Sequence, residues 1–309
     1  MTIQQLKRLG IALVVVLGLW GLATIIGRGG DAIEQAELVG DIAAAEVDVV
    51  EFSSAEKTIR LVQDQPGIWT VNGFAADPNI VDDLFTALSD AGTGELAAQN
   101  PSSHQRMEVD EVGGTRLTVT RGDATLVNVL IGRQGRAYRT VYVRSDGDDK
   151  VYLVESQLGA LVDRQVNDWR DKRIVAVDTA SVTRIEVSRG RDRYSLARGD
   201  SAWTFADGVE TDSAAVQRLL GEFSLLEAQG SGFPSPEQLD SLNFDAPERR
   251  LSLFDAGGAS LAALLFDSSG SNFWVREADG ETVFQLFQWK ANNLTPADST
   301  LRREGQEGL

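Results

Sequence analysis

Cysteine is absent and histidine occurs once in the 309 residues. Without thiols there is no disulfide, no cysteine nucleophile and no thiolate metal site, and one imidazole leaves no catalytic pair built on two. His104, alone in PSSHQRMEV, reads as a solvated turn residue, since a functional imidazole needs partners within reach. Absent cysteine suits either redox compartment. A concentrated basic stripe is also missing: 29 Lys and Arg stand against 46 Asp and Glu, for a net charge of −17. Runs such as RGRDRY alternate in sign, which argues against a nucleic-acid partner and for a self-repelling surface. With 42% hydrophobic and 24% charged residues, the chain can bury a sizeable core.

One long uncharged run is present. Lys7 and Arg8 precede Leu9–Gly27, and Arg28 follows. About 19 helical residues at 1.5 Å each cross close to 30 Å of hydrocarbon. The run is longer than the apolar part of a cleavable signal, and no small-x-small site follows it; a cleaved signal peptide is the alternative. Asp31, Glu34 and Glu37 on the far side place the N-terminus in the cytoplasm and the bulk outside, with residues 9–27 as the expected membrane anchor. No lipobox cysteine exists for lipidation. GRGGDAIEQAELVGDIAAAEVD then reads as a short tether with room for a helical turn.

From Val47 the chain repeats itself. VDVVEFSS, KTIRLVQDQ and GIWTVNG are three strands, and VTRIEVSRG, RYSLARGD and SAWTFADG run the same series. Trp69 and Trp203 set an offset of 134. Each is followed by an acidic helix start, Asp77-Pro78 and Thr211-Asp212, suited to N-cap and first-turn positions. The helices then carry matching apolar stripes, Val81, Leu84, Phe85 and Leu88 against Val216, Leu219, Leu220 and Phe223. RLTVTRGD answers RLSLFDAG, and TVYVRSDGDDKVYLVES answers NFWVREADGETVFQLFQ. The pattern predicts an α+β protein: an N-terminal transmembrane helix, then two tandem, homologous, mostly antiparallel domains, each of three strands, a helix and four strands. The expected divisions are 1–28 for the cytoplasmic end and anchor, 29–46 for the tether, 47–178 for the first copy with a connecting helix, and 179–309 for the second copy and a C-terminal tail.

VNDWRDKRIVAVD, at the seam, crowds five charges around a tryptophan. Leu158, Leu161, Val162, Val166 and Trp169 fall on one face of an amphipathic helix. Asp168 and Lys172 form an i,i+4 pair, and Arg170, Lys172 and Arg173 complement the dipole at the helix end. Trp169, Arg170, Asp171, Lys172 and Arg173 are therefore expected to be a structural joint, with Trp169 packed at the junction of the copies.

The tryptophan-then-aspartate helix unit, the strand pair around YVR with its following VYLV, and the RDKR block after an amphipathic helix resemble a bacterial family of membrane-anchored proteins, domain of unknown function 4340. Asn243-Phe244-Asp245-Ala246-Pro247 before RLSLF resembles that family's Gly-Leu-x-x-Pro-like turn, departing from it at Asn and Phe. The resemblance runs from about Val47 to Gln288. It implies a non-enzymatic accessory protein that keeps company with an inner-membrane ABC-transporter permease or a gliding-type auxiliary protein, with no catalytic residues to carry over and no cofactor.

Other chemistry is thinly supported. Ser54-Ala55-Glu56-Lys57 spells S-x-x-K, but in a strand turn, without the S-D-N and K-T-G elements of the acyl-transferases that use it. Asp146, Asp148 and Asp149 in RSDGDDK are hairpin-turn residues with oxygen ligands for weak calcium binding, without an EF-hand frame. GRQGRAY at 132–138 lacks the context of a phosphate loop and reads as a hairpin loop. Tyr138, Tyr142, Tyr152, Phe273, Trp274 and Phe284 read as core aromatics. No motif selects a carboxylate pair for glycoside hydrolysis. Two functional classes remain: an envelope accessory protein working through protein contacts, or an extracytoplasmic glycan- or peptide-binding (or hydrolytic) protein with a ligand cleft between the repeats.

Overall fold

The computed structural model describes residues 35–40, 42–230 and 232–303. The expected anchor over residues 9–27 lies outside the described residues. Among those described, no helix is long and apolar enough to cross a membrane. The chain divides into two compact units between Trp169 and Arg170.

The first unit contains β1 (Gln35–Glu37), β2 (Val49–Ser53), β3 (Thr58–Gln65), β4 (Ile68–Val71), β5 (Phe74–Ala75), α1 (Pro78–Asp90), β6 (Thr93–Ala98), α2 (His104–Met107), β7 (Thr115–Arg121), β8 (Ala124–Gln134), β9 (Thr140–Ser145), β10 (Val151–Glu155), α3 (Leu158–Val162) and α4 (Val166–Trp169). All ten strands join one antiparallel sheet in the order β1-β6-β10-β9-β8-β7-β2-β3-β4-β5. Alternation puts Val50 and Phe52, Ile59 and Leu61, and Leu117 and Val119 on the buried face. The stripe of α1 meets them through Val81, Leu84 and Leu88, while Phe85 leans on Trp69 with ring centroids 5.5 Å apart. Asp77 caps α1 by accepting from Asn79 N, and Pro78 takes the first turn. Part of the expected tether is built into the fold: β1 pairs with β6, and residues 44–46 form a 3-10 turn.

The second unit contains β11 (Arg173–Val175), β12 (Arg184–Arg189), β13 (Asp192–Arg198), β14 (Trp203–Phe205), α5 (Ser213–Gly221), β15 (Leu226–Glu227), α6 (Pro236–Asp240), β16 (Arg249–Phe254), β17 (Ser260–Ser269), β18 (Asn272–Glu277), β19 (Phe284–Phe287) and α7 (Gln288–Leu294). Seven strands form an antiparallel sheet ordered β14-β13-β12-β16-β17-β18-β19, and β11 pairs with β15. Trp203, Val216, Leu219, Phe223, Leu251 and Phe266 belong to its core.

The protein is thus α+β and mostly antiparallel. The order β4-β3-β2-β7-β8-β9-β10 of the first unit recurs as β14-β13-β12-β16-β17-β18-β19. Registers correspond as well. Val50 lies opposite Leu61 and Val119, as Ile185 lies opposite Leu196 and Leu253. Val143 faces Tyr152, as Val275 faces Phe284. Asp212 caps α5 by accepting from Ala214 N and Ala215 N, the counterpart of Asp77.

The connecting helix differs from its sequence expectation. It is two short helices, α3 and α4, broken over residues 163–165. Gln165 N donates to the Asp168 carboxylate at 2.8 Å, starting a new turn, and Lys57 Nζ takes the freed Arg164 carbonyl at 2.6 Å. At the far end Trp169 O accepts from Asp77 N at 2.8 Å. That bond turns the backbone out of the helix, so Arg170, Lys172 and Arg173 do not sit in a helical last turn, and Asp168 and Lys172 are not a helical pair.

Candidate functional site

Trp169 is fully buried in the core of the first unit, its ring 5.6 Å from that of Phe52. Its four neighbours belong to the second unit. The Arg170 guanidinium lies 3.4 Å from the centre of the Phe233 ring, and burial pushes its pKa down to about 10, leaving it charged at neutral pH. Asp171 bonds Arg173 through backbone N and guanidinium, at 2.8 and 3.1 Å. Lys172 O accepts from Ala228 N at 2.8 Å beside the β11–β15 pair. These contacts tie Arg170, Asp171, Lys172 and Arg173 to partners of their own unit.

Among the exposed large hydrophobic side chains of the described residues, three belong to linked segments of the second unit. Leu225 is 54% exposed, Phe287 40% and Trp289 55%. Leu225 follows α5, Phe287 closes β19 and Trp289 opens α7. Two features hold these segments side by side. Gln229 N donates to Gln285 O at 2.8 Å while the Gln229 side chain accepts from Phe287 N at 3.0 Å. Glu222 and Lys290 form an ion pair across the ends of α5 and α7, and the Lys290 ammonium stands 6.0 Å from the Trp289 ring centre. Leu226, Leu286 and Ala291, close to Leu225, Phe287 and Trp289 in the chain, lie in the core. In the first unit, the registers and helix caps place Asp90, Glu155 and Gln157 at the matching positions. The same frame thus carries a polar surface once and an apolar one once. Position-by-position comparison of VYLVESQ with VFQLFQW is the sequence signal for it, since alternation alone does not say which side an aromatic faces.

The family described as Domain of unknown function (DUF4340) matches residues 69–247. The chain belongs to this family. The DUF4340 match runs from Trp69 on β4 to Pro247 ahead of β16, and so takes in both capped helices, both anchoring tryptophans and the seam between the units. Neither the curated proteins nor the solved structures give a match to the chain.

In this DUF4340 protein the remaining sequence candidates have structural partners. Ser54 Oγ accepts from Glu56 N and Lys57 N inside the β2–β3 turn, and Lys57 Nζ points to the Arg164 carbonyl, so the S-x-x-K pair has no nucleophile–base contact. His104 Nε2 lies 2.8 Å from Asp149 O. Asp146 is held by Arg116 at 2.9 Å and by Asn128 at 3.0 Å, and the hydrogen bond from Arg116 pulls its pKa below the usual carboxylate value. Asp148 caps its own turn by accepting from Lys150 N. Among the described residues no group of three His, Asp or Glu is placed to share a metal ion. Tyr152, Phe273, Trp274 and Phe284 are buried as expected of core aromatics; Tyr142 is half-buried, and Tyr138, at the tip of the β8–β9 loop, is exposed.

Proposed function

We propose that this DUF4340 protein is a non-enzymatic, membrane-anchored, extracytoplasmic accessory component of an ABC-transporter-type envelope complex, acting through protein contacts made at Leu225, Phe287 and Trp289. We read the two units as copies of one ancestral α+β unit; the shared strand order, registers and aspartate caps support that reading. The observation that carries the functional reading is the divergence at three matching surface positions. A duplicated frame that stays polar at Asp90, Glu155 and Gln157 has become apolar at Leu225, Phe287 and Trp289. Large apolar side chains left in water on linked segments mark a contact surface, and a tryptophan beside an ion pair has the make-up of an interface anchor. Residues 9–27 tether the chain to the inner membrane with the bulk outside, which puts this surface within reach of a permease's extracytoplasmic face.

Affinity purification of the full chain in mild detergent tests it. Wild type is expected to retain a transporter permease, and Trp289→Ala to weaken retention by at least about thirtyfold, the loss typical of an interface anchor, with the melting temperature unchanged because the side chain is exposed. Retention by Trp289→Ala and Leu225→Ser at the wild-type level would overturn the assignment. Protease added to spheroplasts is expected to digest both units; their protection would overturn the topology.

A further inference from the structure

A second difference between the units lies at the end of β8. Its pairing with β9 slips by one residue between Ile131 and Gln134, so Gly132 and Arg133 occupy a bulge. Bulges re-aim side chains and sit beside functional sites more often than elsewhere. Gly132 is required there. A β-carbon at that position would lie 2.2 Å from the Met107 carbonyl oxygen, so only glycine lets α2 pack against β8. The short helix is fixed by the buried Met107 side chain and by the contact of His104 with Asp149 O. The result is a hollow of about 720 Å³ walled by Arg106 from α2, Arg133 from the bulge, Arg136 from the following loop, and Tyr142 from β9. The Arg133 guanidinium stands 5.9 Å from the Tyr142 ring centre.

Its charge is unusual for this chain. No carboxylate lines the hollow, and among the described residues none of the three arginines is in an ion pair. Two other hollows, both in the second unit, mix signs: one sets Arg189 and Arg218 against Glu222, the other Arg302 and Arg303 against Glu210 and Asp212. Arg106, Arg133 and Arg136 are all exposed, so their guanidiniums are free to turn toward an anion bound in the hollow. At the matching place in the second unit β17 and β18 pair without a slip, the Ser241 and Ser269 hydroxyls meet at 3.0 Å, Asp267 accepts from Asn243 N, and Trp274 is fully buried. By register, Asp267 and Ser268 stand there where the first unit has Gly132 and Arg133.

We propose that the first unit binds a phosphate-type oxyanion in the hollow formed by Arg106, Arg133, Arg136 and Tyr142. The guanidiniums give planar, forked donors for phosphate oxygens, and the tyrosine ring supports the adjacent Arg133. The volume accommodates a phosphate ester rather than a bare ion, whether a phospholipid headgroup or a soluble phosphorylated compound.

Native mass spectrometry of the full chain released from a neutral detergent, with phosphatidylglycerol, phosphatidylcholine or inorganic pyrophosphate added, tests the proposal. Phosphatidylglycerol or pyrophosphate is expected to bind in preference to phosphatidylcholine. R106Q/R133Q/R136Q is expected to lose at least about a hundredfold in affinity, given that each charge-assisted hydrogen bond is worth about tenfold or more. R60Q/R191Q/R193Q, which removes three arginines elsewhere, is expected to bind like wild type. Binding of phosphatidylglycerol without pyrophosphate identifies a lipid headgroup, and binding of pyrophosphate a soluble phosphorylated compound. Should the triple variant melt early, the single variants R106Q and R133Q carry the test, each expected at about a tenfold loss. Absence of binding to both anions, unchanged binding by the arginine variants, or an equal loss in the control overturns the site.

Discussion

Trp169 and Lys172 stand three residues apart and have opposite weights. The indole is fully buried against Phe52, and removing it leaves a large void in a core that cannot collapse around it. Trp169→Ala is therefore expected to cost about 3–5 kcal/mol, while Trp169→Phe, which keeps an aromatic ring against Phe52, costs far less. Lys172 contributes its carbonyl to Ala228 N, a bond that any residue supplies, so Lys172→Ala is expected to change stability by less than about 0.5 kcal/mol. Urea unfolding of the three variants checks both statements, and equal losses at 169 and 172 would contradict them. That Trp169 is apolar-faced is legible from its spacing to Leu158, Leu161 and Val162. The role of its charged neighbours is not, because the helix that would have given them a common face ends at Trp169, where the backbone bonds Asp77 across 92 residues of sequence.

At the scale of elements, alternation and caps made the two anchoring strand–helix stretches readable, since each rests on residues near one another in the chain. The short strands β1 and β11 show no alternation over three residues and exist only because β6 and β15 lie beside them. The acidic β9–β10 hairpin is a similar case. RSDGDDK looks like an isolated cluster of oxygen ligands, yet Asp146 faces Arg116 on β7, 30 residues earlier, and that hydrogen bond holds its pKa below the ordinary 3.8. A carboxylate with a lowered folded-state pKa favours the folded state above its unfolded value, and the benefit is lost as pH falls through the folded value. Carboxyl NMR is expected to show Asp146 titrating below 3.8 in the wild type and returning toward it in Arg116→Gln. A wild-type midpoint at or above 3.8 would show that the pair does not persist in solution.

For the whole molecule, the strand order of one unit recurs in the other, and the fold supplies what the offset between Trp69 and Trp203 cannot: where each unit closes. Asp77 N bonds Trp169 O, and Asp212 N bonds Leu301 O, both at 2.8 Å. Both partners are buried, Trp169 fully and Leu301 at 2% exposure. In each unit, then, the chain returns after its last sheet strand to lay one large apolar side chain under the start of the capped helix. The sequence reads the segment around Leu301 as a tail and the one around Trp169 as a connecting helix at a joint; each is the closing piece of a core. A fragment spanning residues 35–169 is accordingly expected to unfold in one cooperative urea transition. One ending at residue 165 removes α4 with Trp169, loses at least the about 3–5 kcal/mol of the buried indole, and takes up a large share of the 5–15 kcal/mol by which domains are ordinarily stable. If the two fragments unfold at the same urea concentration, the closing role of Trp169 is wrong, and the matching role of Leu301 in the second unit falls with it.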